Sequence, residues 1–348
     1  MVANYWNFLI IANRQSQYFT KVLEQHGYPG PHFLGLGYGA SIDPVNAPWG
    51  GLPKPLLVLG STRDEEYLRL TELWARQLGC PCYPLDFGFS SQYKQLPPDD
   101  WWKRMRDEWE HLIDVPRLEQ RIAQNKGLIR HLEAITGRTF SVTKLQHTMD
   151  LVNIQVDLWD QAHNLIAAAK PCPVSLRDQL AVYQAMWHRG TEKGVELIKD
   201  YLEEVRQRIS LRRAAYPREK FRLLYWTTRE APAFQSFLEK EYGAVFVGTP
   251  YGATPRLYAR TVHNGDPLRA LSARQLFLFI LSPGWMIHEA ELHQCDAIVL
   301  LDSDTDFPSE NQMVAEQAGI PCISIPNTKD DEVTRTRLSG FIETRLRR

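Results

Sequence analysis

Cysteine is scarce in this chain, with five in 348 residues, and that scarcity excludes a disulfide framework. Cys80, Cys82, Cys172, Cys295 and Cys322 are odd in number, and the two close together form C-x-C rather than C-x-x-C. Such a set suits a reducing compartment, so the protein is expected in the cytoplasm. Their spacing does not suggest a metal site. Long apolar runs are also missing. No stretch approaches about 18 uninterrupted apolar residues, so no membrane span is expected. The apolar run Phe8–Ala12 is too short for the core of a signal peptide. Charge of one sign is missing too. Lys plus Arg number 40 and Asp plus Glu 41, a net charge of −1, so nothing favours nucleic acid or an anionic membrane as a partner.

What the chain does have is core material. Apolar residues make up 44% and aromatics 11%, and 348 residues suggest two domains. No short-period repeat or low-complexity tract interrupts it.

Pro53-Lys-Pro-Leu-Leu-Val-Leu-Gly60 reads as a buried strand, and Ser61-Thr-Arg-Asp64 opens a helix to about Gln77. Cys82–Phe87 reads as the next strand. Strand, helix, strand with short joints is the pattern of a parallel sheet. From Pro97 to about Ala214 helical periodicity takes over, with helices expected at Asp100–Asp114, Pro116–Thr136, Val142–Ala169 and Ser175–Ala214. Leu176, Leu180, Tyr183 and Trp187 fall on one face of the last of these, and Ser175 can cap it. The basic cluster Arg206–Arg213 reads as a solvated helix face. Strands return at Arg222–Trp226, Val245–Val247, Ala297–Leu301 and Cys322–Ile325. Helices are expected at Pro232–Tyr242, Ser272–Cys295 with a break at Pro283-Gly284, Ser309–Ala318 and Asp330–Leu346. The expected architecture is α/β. It has an N-terminal lobe over residues 1–100, a linking helical segment over 101–215 and a C-terminal Rossmann-like lobe over 216–348.

Ligands of open parallel sheets bind beyond the carboxyl ends of the strands. Three such ends stand out. At the first, Ser61, Arg63 and Asp64 offer helix amides, a guanidinium and a carboxylate. At the second, Thr227 and Arg229 repeat that chemistry. The third, Asp302-Ser-Asp-Thr-Asp306, places Asp302 and Asp304 at alternate positions. A helix–loop–helix calcium site would need glycine and glutamate where Phe307 and Met313 stand, so a polar, helix-capping loop is expected instead. His288 and His293 are five apart and do not share a helix face, which excludes the zinc-protease pattern. Gly35-Leu-Gly-Tyr-Gly39 lacks both dinucleotide and P-loop spacings and reads as a flexible loop.

Arg130–Arg138 (RHLEAITGR) and Thr143–Asn153 resemble a helical segment of the 2-hydroxyacyl-CoA dehydratase / benzoyl-CoA reductase family. So do Pro171–Ser175, Tyr183–Gly190, Arg222–Trp226, Cys295–Leu300, Gly319–Pro321 and Thr336–Glu343, in order over about residues 50 to 345. The resemblance implies two Rossmann-like lobes with a 4Fe–4S cluster between them, held by strand-end cysteines. It also implies paired homologous subunits, an ATP-dependent activator and an acyl-CoA thioester as substrate. Where the family reads T-C-D this chain has Thr62-Arg63-Asp64, no cysteine precedes Cys80, and Asp302–Asp306 replaces the second-lobe ligand loop. A 4Fe–4S cluster needs about four thiolates. The chain is therefore expected to hold no cofactor itself and to pair with a cluster-bearing relative. A stand-alone binding or structural module, and a two-lobed transferase for a nucleotide-linked substrate, are the other readings.

Overall fold

The computed structural model describes residues 7, 9–11, 13–28, 35–51, 54–61, 65–86, 98–227, 231–276, 282–302 and 308–347. The fold is mixed α/β with two parallel sheets. The chain divides into two compact units, Met1–Ser91 with Val115–Phe140, and Gln92–Asp114 with Ser141–Arg348. Residues 101–215 are thus apportioned between the two units. Among the described residues no helix is long and apolar enough to cross a membrane.

In the first unit, α1 (Ser16–Gln25) packs on α2 (Gly35–Ile42), burying Phe19, Val22, Leu36 and Ala40. The glycine-rich stretch expected as a loop is this second helix. Its glycines serve packing: a Cβ on Gly39 would sit 3.0 Å from the Phe19 carbonyl oxygen, so only glycine lets the two helices approach this closely. Strand β1 (Val58–Ser61), helix α3 (Glu65–Leu78) and strand β2 (Cys82–Leu85) form the expected parallel unit, with Val58 opposite Cys82. Helix α4 (Val115–Thr136) covers β2 through Arg121, which donates to the Asp86 carbonyl at 2.7 Å. The Gln124 carbonyl accepts from Tyr83 at 3.1 Å.

In the second unit, the expected Asp100–Asp114 helix is two single turns, Trp101–Arg104 and Trp109–Leu112. Three tryptophans take precedence over helical continuity there: Trp101, Trp102 and Trp109 are all buried, and Trp102 stacks on Trp285 at 5.8 Å. Helix α5 (Val142–Ala168) is capped by Ser141, whose hydroxyl accepts from the Lys144 amide at 3.2 Å. The run expected as one helix over Ser175–Ala214 is interrupted. Ser175 caps α6 (Leu176–Tyr183), a tight turn follows over Gln184–His188, and α7 (Glu192–Ser210) starts afresh. The break is local chemistry. Gly190 adopts φ +72°, and Thr191 accepts from the Gly194 amide at 3.0 Å as a new cap.

Strands β3 (Phe221–Tyr225), β4 (Ala244–Gly248), β5 (Ala297–Leu301) and β6 (Cys322–Ile325) form one parallel sheet in the order β4-β3-β5-β6. Residue alternation loads both faces, as a buried parallel sheet requires. Leu223, Tyr225, Phe246, Val299 and Ile325 pack with Leu238 of α8 (Gln235–Tyr242). Val245 and Val247 pack with Ile166 and with Leu202 and Val205. The remaining helices are α9 (Pro267–Leu276), α10 (Pro283–Leu292), α11 (Pro308–Gln317) and α12 (Glu332–Phe341). The break expected at Pro283-Gly284 falls at the extended Ser282, and Pro283 takes the first helical position of α10.

The joint of α5 and α7 is tight enough to test. A Cβ on Gly194 would lie 2.2 Å from Gln155 Nε2 and 2.3 Å from the His188 carbonyl oxygen. Gly194→Ala is therefore expected to cost about 1–3 kcal/mol by overpacking, despite alanine's better helix propensity. Urea unfolding checks this; a stabilised variant would contradict it.

Candidate functional site

The order β4-β3-β5-β6 reverses direction between β3 and β5, since the chain moves outward to β4 and then returns past β3. In parallel sheets the crevice beyond the carboxyl ends at such a point is where ligands bind. Thr227 lies there, two residues past β3 and 1% exposed, and Asp302 lies there directly after β5. Two further buried polar atoms mark the same edge. Trp226 Nε1 after β3 and Thr249 Oγ1 after β4 have no hydrogen-bond partner among the described residues. Buried donors are normally satisfied, so such a pair marks a place for solvent or ligand.

Asp302 is not a free carboxylate. It accepts from the Ser324 hydroxyl of β6 and lies 3.7 Å from the Arg337 guanidinium of α12. The structure thus brings Thr227 and Asp302 to one sheet edge and places Ser61 at the end of β1 in the first unit. Arg63, Asp64, Arg229 and Asp304 lie outside the described residues.

A second constellation went unread in the sequence. His163 of α5, Glu289 of α10 and His293 present ligand-type atoms within 4.8 Å of one another, and all three are buried. His163 Nε2 is 2.8 Å from Glu289 Oε2, Trp285 Nε1 donates to Glu289 Oε1 at 3.2 Å, and His293 Nδ1 is 2.9 Å from the Glu289 carbonyl oxygen. Burial by itself pushes the Glu289 carboxyl up. The charge and hydrogen bond of His163, with Arg256 and His293, outweigh it and hold the group down at about 2. Burial, then the charge of His163, pulls His293 down to about 3, so its ring is neutral at pH 7. These donor types can take a divalent metal. Both carboxylate oxygens are already engaged by protein groups, however, and the arrangement is that of a buried histidine–carboxylate hydrogen bond joining α5 to α10. The sequence signal was present: Glu289 and His293 are four apart, the spacing that His288 and His293 lack.

The cysteines occupy the other end of the strands. Cys82 and Cys322 are the first residues of β2 and β6, and Cys295 precedes β5 by two residues. Cys172 lies between α5 and α6, its thiol donating to the Val174 carbonyl at 3.3 Å. Burial pushes every one of these thiols up, Cys172 to about 11 and Cys322 to about 12. Thiolate ligands of a cluster must converge at one site. The residues at the carboxyl edge of the four-stranded sheet therefore do not fit a thiolate-held cluster: among the described residues none of them is cysteine.

The family described as 2-hydroxyglutaryl-CoA dehydratase, D-component, matches residues 34–344. No curated protein matches the chain.

Proposed function

The chain belongs to the 2-hydroxyglutaryl-CoA dehydratase D-component family, and from that premise we propose that it is a subunit acting on acyl-CoA thioesters without ligating an iron–sulfur cluster of its own. The family match over residues 34–344 carries the reading. The sheet supports it with a strand-order reversal and unsatisfied polar atoms at the edge where a ligand binds. The positions of the cysteines support the cluster-free part: Cys82 and Cys322 stand at strand starts and Cys172 lies between two helices, not at the carboxyl ends of the strands. In this reading the two units are Rossmann-like lobes. Thr227, with Ser61, Arg63, Asp64, Arg229, Asp302 and Asp304, contributes to the acyl-CoA site. A homologous partner subunit supplies the 4Fe–4S cluster, and an ATP-dependent activator reduces it. The link to benzoyl-CoA reductases is part of the same proposal.

The test is anaerobic purification of the chain alone and with a cysteine-bearing homologous subunit, each reconstituted with iron and sulfide. The chain alone is expected to bind no stoichiometric cluster. The co-expressed pair is expected to elute together and carry one. A stoichiometric, EPR-active 4Fe–4S cluster on the isolated chain, or failure to associate with the homologue, overturns the reading.

A further inference from the structure

Three arginines of the second unit lie near one another, and among the described residues no acid pairs with them. Arg189 stands between α6 and α7, Arg260 follows the tight turn Thr254–Tyr258, and Arg274 is on α9. Tyr258 neighbours two of them: the Arg189 guanidinium carbon is 3.9 Å from its ring centre and that of Arg274 is 5.1 Å away, and the charge of Arg274 acts in turn on Arg260. Arg260 is fully buried, and its Nη1 donates to the carbonyls of Leu257 at 2.9 Å and Ala259 at 2.6 Å. Its Nε and Nη2 have no partner among the described residues, nor do Arg189 Nη1 and Arg274 Nε, all of them buried. Among the described residues none of the three forms an ion pair.

Tyr183 does not supply the missing negative charge. Tyr183 Oη is 2.5 Å from Tyr258 Oη, and burial, followed by Tyr258, pushes the Tyr183 phenol well above its usual range, so it stays neutral. Burial pulls Arg260 down to about 9. Burial and then the charge of Arg189 pull Arg274 down to about 10. Both remain cationic at neutral pH. An uncompensated buried charge costs several kcal/mol as a rule, and buried N–H groups are rarely left idle.

The cluster is also held in place. The Asn153 side chain of α5 donates to the Arg260 carbonyl at 2.9 Å and accepts from the Arg260 amide at 3.0 Å. That double clamp fixes the backbone of the most deeply buried cation from a helix 107 positions away in sequence. An arginine set with buried N–H groups that have no partner among the described residues, including the Nε–Nη2 edge of Arg260, matches a tetrahedral, doubly charged oxyanion, because guanidinium forks bind phosphate bidentately.

We propose that Arg189, Arg260 and Arg274 form a receptor for a phosphate-type oxyanion. Two sources share that chemistry, a phosphate group of coenzyme A and free phosphate; the first source rests on the acyl-CoA reading above, whereas the oxyanion site itself does not.

Thermal melts and calorimetric titration of the full chain test the site, using inorganic phosphate, coenzyme A and dephospho-coenzyme A as probes. Wild type is expected to bind phosphate or coenzyme A and to melt higher in its presence. Arg274→Ala is expected to weaken that binding by about tenfold to a hundredfold, the loss of one charge-assisted contact. Arg260→Met separates a ligand role from a structural one. Removing an unpaired buried charge should leave the unliganded melting temperature unchanged or raise it, while the ligand-induced rise disappears. Tighter binding of coenzyme A than of dephospho-coenzyme A assigns the site to the 3′-phosphate. Binding of inorganic phosphate alone keeps the site and removes the acyl-CoA source. No response to any probe overturns the proposal, as does coenzyme A binding that both variants retain; the latter leaves the acyl-CoA reading standing.

Discussion

Glu289→Ala is expected to lower the unfolding free energy by about 2–5 kcal/mol, the cost of leaving two buried hydrogen-bonding groups without their partner together with that of the cavity. The side chain is 1% exposed and answers three groups at once. His163 Nε2 loses its partner at 2.8 Å, Trp285 Nε1 loses its acceptor at 3.2 Å, and the charge balancing His163 and Arg256 vanishes. Solvent cannot replace any of these, because His163 and His293 are 3% and 0% exposed. Neighbouring glycines show how closely the pair is packed. A Cβ on Gly252 would come within 2.9 Å of His163 Nδ1, and one on Gly248 within 3.0 Å of His293 Cδ2. The cavity left by alanine therefore has little room to collapse. Glu289→Gln keeps the volume and an acceptor, so it should cost distinctly less. Urea unfolding at pH 7 gives both numbers. A loss below about 1 kcal/mol for the alanine variant would show that the pair contributes little beyond filling space.

The parts of this fold that were legible in the sequence are those with local causes. Strands β5 and β6 occupy the residues expected of them, because Ala297–Leu301 and Cys322–Ile325 are short apolar runs bounded by turn residues. Helix α5 is legible from its period, and Ser175 caps α6 as its side chain allows. The positions of Thr227 and Asp302 just beyond β3 and β5 were legible, since they follow from chain order and a parallel sheet alone. Long-range effects were not legible. The tryptophans that split residues 100–114 into two turns answer to Trp285, far along the chain. Gly35–Gly39 looked like a loop because a helix so rich in glycine is favoured only where another helix, here α1, lies against it. Glu289 and His293 are four apart, but His163 comes from another helix 126 residues from Glu289, and no spacing rule joins it to them. Arg260 sits in an irregular stretch after β4, where neither a helical nor a strand period marks a buried position. What period and cap chemistry reveal is the scaffold; what they omit is the set of charges that the scaffold buries.

Those buried charges set the acid limit of the fold. Glu289 titrates at about 2 in the folded chain against 4.5 when free, and His293 at about 3 against 6.5. Both groups hold a proton more tightly in the unfolded chain. Stability must therefore fall as pH falls wherever the unfolded chain has taken up protons that the folded one has not. For His293 that window runs from about 6.5 down to 3, because its buried neutral ring must charge. For Glu289 it runs from about 4.5 down to 2, because the ionised carboxylate that answers His163 must be protonated. At about 1.4 kcal/mol per pH unit, the two contributions are on the order of 5 and 3 kcal/mol at neutral pH. A typical domain has about 5–15 kcal/mol in all, so the second unit is expected to unfold well above the pH at which Glu289 itself protonates. Between pH 6.5 and 4.5 the histidine term acts first. His293→Gln removes that titration while keeping a polar side chain at the turn after α10. Its unfolding free energy, measured in urea at pH 6.5, 5.5 and 4.5, is expected to decline less steeply than that of the wild type, by up to about 1.4 kcal/mol per pH unit. Parallel lines for the two proteins over this range would mean that His293 is not held neutral by its surroundings, and the acid sensitivity would then belong to other groups.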